Sequence, residues 1–384
     1  MARNVRDVCI VGIGETEYRK WGSITDRSEL GLACEAIKAA AADAGVETDE
    51  IDGLASYAYD HSEPYMLQET LGLPNLNYAA MVWGGGGNGS FGSIALAYSA
   101  IRAGHVDCVA VFRSLCQGQT FRFGQGYPTA HQNFIHPFGM LSPPLMFAPV
   151  AQRYKHLYGV RDEQFGEVAL VCRDNASRNP RAVFRDRPLT MTDYLQSRMI
   201  ADPLRLYDCC QENDGACALI LTTLERARDL RQKPVAVLAA GHGGDPGRGS
   251  GPLGFHNMPD EIYAHGDGTR LAQRLYGLAG VRPDDIDVAQ IYDAYTPLIL
   301  MALENYGFCG RGEGKDFVSS GGIRWPDGGL PINTSGGLLS EAYIHGLNLA
   351  VEGVRQLRGQ STSQVRDAEL CLLTCGTSAA ILGA

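Results

Sequence analysis

A nine-residue pattern occurs twice in this chain, and that repetition limits the possible folds more than any other feature. Ala44-Gly45-Val46-x-x-Asp49-x-Ile51-Asp52 returns 235 residues on as Ala279-Gly280-Val281-x-x-Asp284-x-Ile286-Asp287. Each copy closes a helix-like segment and opens a short apolar run. Before the first copy, Leu30, Ala33, Ile37, Ala40 and Ala44 recur at helical spacing, and Gly45 stands where a C-cap would. Six matched positions in one structural context imply two related α/β halves.

Apolar runs fill in the halves. Residues 7–14 (DVCIVGIG) and 51–56 read as buried strands, and strand and helix alternate to about Ser114. That alternation predicts a parallel sheet layered with helices. The runs VDCVAVF and LCLLTCG end the first and second halves. Between them, residues 115–205 are aromatic and proline-rich, then helical, with helices expected at 154–158 and 163–178. They read as an insertion laid over the sheet. The expected division is therefore 1–114 for the first half, 115–205 for the insertion, 206–257 for the end of the first half and its connection, and 258–384 for the second half.

A formal net charge of −10 with no basic stripe argues against nucleic acid as a partner. The 11 cysteines lie mostly inside apolar runs and include no Cys-x-x-Cys pair, so they read as buried thiols in a reducing compartment, with no zinc site. No signal-peptide pattern or run of ~18 uncharged apolar residues is visible. The chain reads as cytoplasmic, with no membrane span.

Residues 84–89 (GGGGNG) precede a helix expected at 90–103 and match Gly-x-Gly-x-x-Gly at Gly84, Gly86 and Gly89. Asp107 lies ~20 residues on but opens its strand, whereas a ribose-binding carboxylate belongs at a strand's C-terminal end. Dinucleotide binding is therefore not expected. Glycines that let backbone approach a ligand at a helix N-terminus remain, and Gly86, Gly87 and Asn88 are the candidate ligand-contacting residues there.

Three segments carry a more specific likeness: DVCIVGIGETEYRK near the N-terminus, PLRLYDCCQENDGACALIL in mid-chain and NTSGGLLSEAYIHG later. With these the chain resembles the thiolase superfamily, in its sterol-carrier-protein and lipid-transfer-protein branch. The resemblance runs from the first strand to the last. It implies the thiolase fold, two βαβαβαββ halves in a layered α-β-α-β-α core, and a CoA thioester as substrate with no further cofactor.

The departures from the thiolase pattern bear on the chemistry. The nucleophilic cysteine of a thiolase aligns within one residue of Gly87, and no cysteine lies between Cys34 and Cys108. Glycine has nothing to acylate, so a covalent acyl-enzyme is excluded by that route. Asn333, Gly336 and Gly337 match the family's Asn-x-x-Gly-Gly, but Tyr343 stands where its activating histidine would, with His345 two residues on as a rival donor. Tyr292-Asp293-Ala294-Tyr295 replaces His-Asp-Cys-Phe, so Tyr292 takes a second histidine position. Cys375 lies near the family's second, base-supplying cysteine, although a buried strand-end thiol is the plainer reading.

Two imidazoles have thus become two phenols, with pKa ~10 in place of ~6.5, donors rather than bases at neutral pH. Keeping oxyanion donors without a nucleophile suits retro-aldol cleavage of a β-hydroxyacyl-CoA, whose enolate charge sits on the thioester oxygen. The likeness is closest to steroid side-chain-cleaving aldolases. It implies that Tyr343 serves the thioester oxygen and that Tyr292 takes the hydroxyl proton, with Tyr295 an alternative base. Two other functions stay open, a thiolase or acyltransferase using Cys116 or Cys375 and a non-catalytic acyl-CoA or lipid-binding subunit. The resemblance also implies a homodimer and a partner protein with a zinc ribbon and an OB fold.

Overall fold

The computed structural model describes residues 6–84, 86–119, 132–245, 259, 262–265 and 268–384. Nine strands make the main path of the sheet: β1 (Val8–Glu15), β2 (Gly53–Tyr57), β3 (Tyr78–Val82), β4 (Cys108–Leu115), β5 (Asn213–Thr223), β6 (Val235–His242), β7 (Val288–Ile291), β8 (Leu370–Cys375) and β9 (Ser378–Gly383). A short tenth, Arg19–Lys20, pairs with β5 off that path. The order is β7-β8-β9-β6-β1-β5-β4-β2-β3.

That order is nearly the same read outward from its middle. From the antiparallel β1–β6 pair, one side runs β5, β4, β2 and the other β9, β8, β7, and every pairing has the same sense on the two sides. Even β3 has a remnant counterpart, a parallel bridge from Ala289 to Ile332. The doubled sequence pattern is thus a doubled structure.

Two positions of the repeat have the same physical task in both copies. Gly45 and Gly280 are C-caps at φ 75° and 72°, a left-handed conformation that a Cβ penalises. They end α1 (Glu29–Ala44) and α5 (Thr269–Ala279), which the pattern equates. Asp52 accepts a hydrogen bond from Cys108 N at 2.8 Å, and Asp287 accepts one from Leu370 N at 2.8 Å. Each carboxylate therefore ties down the first residue of the next strand over, β4 or β8.

The strands expected to lie parallel up to about Ser114, β1 to β4, do share one direction, but β5 comes between β1 and β4 and runs antiparallel to both. Only β3-β2-β4 and β7-β8 pair in parallel, whereas β1 lies antiparallel between β5 and β6. Alternating strands and helices specify layers, but they do not specify which strands are neighbours.

Helices α1 and α5 cover the outer faces of their own halves. The glycines of β1 explain how closely α1 sits, because a Cβ on Gly12 or Gly14 would overlap the backbone of Ala40 or Ala36. α2 (Gly87–Arg102) and α7 (Leu347–Arg358) instead touch strands of both halves and each other, forming the buried middle layer. Within the insertion, α3 (Pro143–Tyr158) and α4 (Asp162–Arg178) extend the expected helical segments, and α4 packs on α6 (Thr296–Asn305) and on the helical turn Gly337–Ser340. Among the described residues, no helix is long and apolar enough to cross a membrane.

Candidate active site

The two middle-layer helices bring their N-terminal loops to the C-terminal end of β7, where open α/β sheets present ligand sites. Tyr292 is the first residue beyond β7, and its N–H still donates to Thr374 O at 2.9 Å. The buried side chain of Asn333 extends this strand end. Its Oδ1 accepts from Ile291 N and its Nδ2 donates to Ile291 O, both at 2.8 Å, from a backbone at φ 43°. Asn333 therefore mimics a strand neighbour, which accounts for an asparagine at this point of the pattern.

Asp293 fixes the second wall. Its carboxylate accepts from Leu338 N at 2.8 Å and Leu339 N at 3.3 Å, holding the first turn of Gly337–Ser340. Burial raises its pKa to about 6 against the pull of those donors. Gly337 (φ 63°) lies against Asp293 and Asn333, and Gly336 (φ 113°) lies against Ala176. These two glycines let the turn pack onto its neighbours. Beyond the turn, Tyr343 N donates to Oδ1 of Asn213 on β5 at 2.8 Å, which anchors a second-half tyrosine on a first-half strand.

The phenols of Tyr292 and Tyr343 meet. Tyr292 Oη and Tyr343 Oη are 3.1 Å apart, with the side chains 8% and 5% exposed. Burial raises both pKa values well above the usual ~10. Both hydroxyls therefore hold their protons at neutral pH. Tyr343 sits in the buried segment between the helical turn and α7.

The Tyr292 ring lies over Gly86 and Gly87. A Cβ on Gly86 would overlap its hydroxyl, and one on Gly87 would overlap the ring itself. The space beside Gly87 is thus filled by a phenol. Asn88, in the first turn of α2, accepts from Thr377 N at 2.8 Å, and Ser378 Oγ donates to Gly87 O at 3.3 Å. Those bonds tie the glycine loop to the β8–β9 turn. Cys375 ends β8 close enough to Tyr292 and Tyr57 that a thiolate there would raise both phenols.

Tyr295 is the N-cap residue of α6 and stacks its ring on Phe147 of α3 at 4.8 Å, within electrostatic reach of Tyr343. His345 is fully buried, with its ring 4.9 Å from Tyr343 and 5.1 Å from Tyr57. Burial and the facing Arg113 push its pKa well below the usual imidazole value. It is therefore neutral, a donor or acceptor but not a cation.

Sequence reasoning passes over Arg113 and Tyr57 and reads Cys210 as packing. Arg113 sits 2% exposed on β4, and a lone arginine inside VFRSLC was the available signal. Tyr57 Oη accepts from Gly86 N at 3.2 Å. The Cys210 thiol borders Tyr292, Tyr343 and Tyr295 and would raise all three if ionised. Cys116, by contrast, is buried with α1 in the outer core, its pKa pushed up to about 11 by burial. It lies in a separate apolar cluster from the tyrosines. Among the described residues, no group of three His, Cys, Asp or Glu side chains is placed to hold a metal ion.

Comparison with known proteins gives the same picture. Residues 255–380 match the family model "Thiolase C-terminal domain-like". The chain is 40% identical to the 17-hydroxy-3-oxo-4-pregnene-20-carboxyl-CoA lyase of Mycobacterium tuberculosis, over 96% of each chain. It is 41% identical to the steroid side-chain-cleaving aldolase of Thermomonospora curvata, over 98% of this chain and 97% of that one. The solved structure of an Ltp2-ChsH2(DUF35) aldolase superposes with a TM-score of 0.91 at 40% identity, over 99% of both chains. The chain belongs to the thiolase superfamily, among its carbon–carbon-cleaving aldolases.

Proposed function

We propose that this enzyme cleaves a β-hydroxyacyl-CoA by a retro-aldol reaction in which Tyr292 and Tyr343 act as one proton relay. The observation that carries this reading is the 3.1 Å contact between the two phenol oxygens. Neither phenol is ionised, so neither alone is a ready base. A relay needs no phenolate. The substrate's β-hydroxyl gives its proton to Tyr292 Oη as the Cα–Cβ bond breaks and the β-carbon becomes a ketone. Tyr292 passes its own proton to Tyr343 Oη, and Tyr343 passes its proton to the thioester enolate. Both tyrosines end as they began, and the products are a ketone and a shortened acyl-CoA. No cofactor enters beyond the thioester.

The relatives' names supply the substrate class. A 17-hydroxy-20-carboxyl-CoA carries its hydroxyl β to the thioester, on a ring carbon that would become the ketone. A steroid or similarly bulky acyl-CoA is the proposed substrate here. Tyr343→Phe and Tyr292→Phe each delete one hydroxyl and little volume. Each is expected to lower kcat by ~10²–10³ in cleavage of such a substrate, the usual cost of one transition-state donor. Near-wild-type cleavage by both variants would rule the relay out.

We further propose that the chain works as a homodimer in the cytoplasm and with a second protein, since the similar solved aldolase is named for two components, Ltp2 and ChsH2. A zinc-ribbon and OB-fold protein is the proposed partner. Full activity and stability of the purified chain alone would count against the partner.

A further inference from the structure

Arg113 carries no assigned role, yet it joins both walls of the tyrosine site. Its Nε donates to His345 Nδ1 at 2.8 Å, and its Nη1 donates to Asp60 Oδ2 at 2.9 Å and to Ser114 O at 2.6 Å. The guanidinium also lies over the Tyr57 ring, 5.3 Å from its centroid, and Tyr57 in turn holds Gly86 N. One side chain on β4 therefore steadies the glycine loop under Tyr292 and the histidine beside Tyr343.

We propose that Arg113 is a positioning residue that locks His345 as the neutral Nε2–H tautomer and thereby holds the Tyr343 side of the relay. A guanidinium N–H can only donate. Nδ1 must then present a lone pair, so the single ring proton resides on Nε2. Adding a second proton would set two N–H groups head to head and bring two cations together in a buried place. The groups facing the ring are Arg113 from β4, Tyr57 from β2 and the neighbouring Tyr343. The carboxylates of Asp60 and Glu29 face the guanidinium, at 2.9 and 3.7 Å. In an ordinary setting an imidazole titrates between about pH 5 and 8. Here it stays one species, so its edge against the Tyr343 ring does not change with pH.

The kinetic part of this inference rests on the aldolase reading, whereas the tautomer does not, and the test separates the two. In the wild-type protein carrying 15N-labelled histidine, the His345 resonances, assigned by their loss in His345→Gln, should show Nε2–H and no titration from about pH 5 to 8. An Nδ1–H tautomer, or titration in that window, would overturn the proposal whatever reaction the enzyme performs. Arg113→Lys keeps a positive charge beside Asp60 but loses the Nε–H. Its kcat/KM should fall by ~10²-fold, the scale of a small misplacement of catalytic groups. The loss should deepen toward acid pH through a new ionisation that vanishes in the Arg113→Lys/His345→Gln double variant. A wild-type pH profile in Arg113→Lys would also overturn it. Should that variant fail to fold, the wild-type resonances still decide the matter.

Discussion

Gly87 and Tyr292 are best understood as a pair. The ring of one occupies the volume that any side chain on the other would need, so restoring the superfamily's thiol would not restore a thiolase. Gly87→Cys should displace the Tyr292 ring, break its contact with Tyr343 and lower aldol cleavage by ~10²-fold, as misplacing one donor does. No acyl-enzyme should accumulate, because the displaced phenol competes for the same space. Mass spectrometry of the variant with acyl-CoA, beside its cleavage rate, checks both halves of the statement. The glycine itself was legible in the sequence, as was the register that puts tyrosines at 292 and 343. Their mutual contact was not legible, nor was the orientation of Tyr295 toward Phe147, since spacing along the chain does not show which way a side chain faces the cleft.

Secondary-structure elements followed their local signals closely, and the repeat shows why. Gly45 and Gly280 cap equivalent helices, and Asp52 and Asp287 anchor equivalent strands through charged hydrogen bonds to backbone N–H groups. Such bonds contribute ~1.5–3 kcal/mol each. Asp52→Ala and Asp287→Ala should each destabilise the fold by about that amount in urea or thermal unfolding, with kcat unchanged. Both sites lie at the opposite ends of their strands from the tyrosines. A loss of kcat without loss of stability would show that the carboxylates do something other than tie strands. The sense of strand pairing was the element-scale feature that local signals could not supply.

At the scale of the molecule, the outer strand β3 ends the sheet, with no strand beyond it among the described residues. Beside it Trp83 and Tyr59 are 58% and 63% exposed. An open edge with aromatic neighbours is a surface a second copy can pair with, and two-fold dimers are the commonest assembly. Light scattering at micromolar concentration should therefore give about twice the chain's 41.4 kDa, and a stable monomer would sink the dimer. The amino-acid sequence alone determined the doubled pattern, the glycine at position 87 and the tyrosines at 292 and 343, because all of these are matters of covalent identity and short-range spacing. The tertiary structure decided what those residues do to one another. Tyr292 fills the space over Gly87, its hydroxyl meets that of Tyr343, and Arg113 reaches His345 across 232 residues of chain. Contacts of that range exist only once two halves have packed around a shared middle layer, and no local pattern of apolar and polar residues encodes which side chains will meet there.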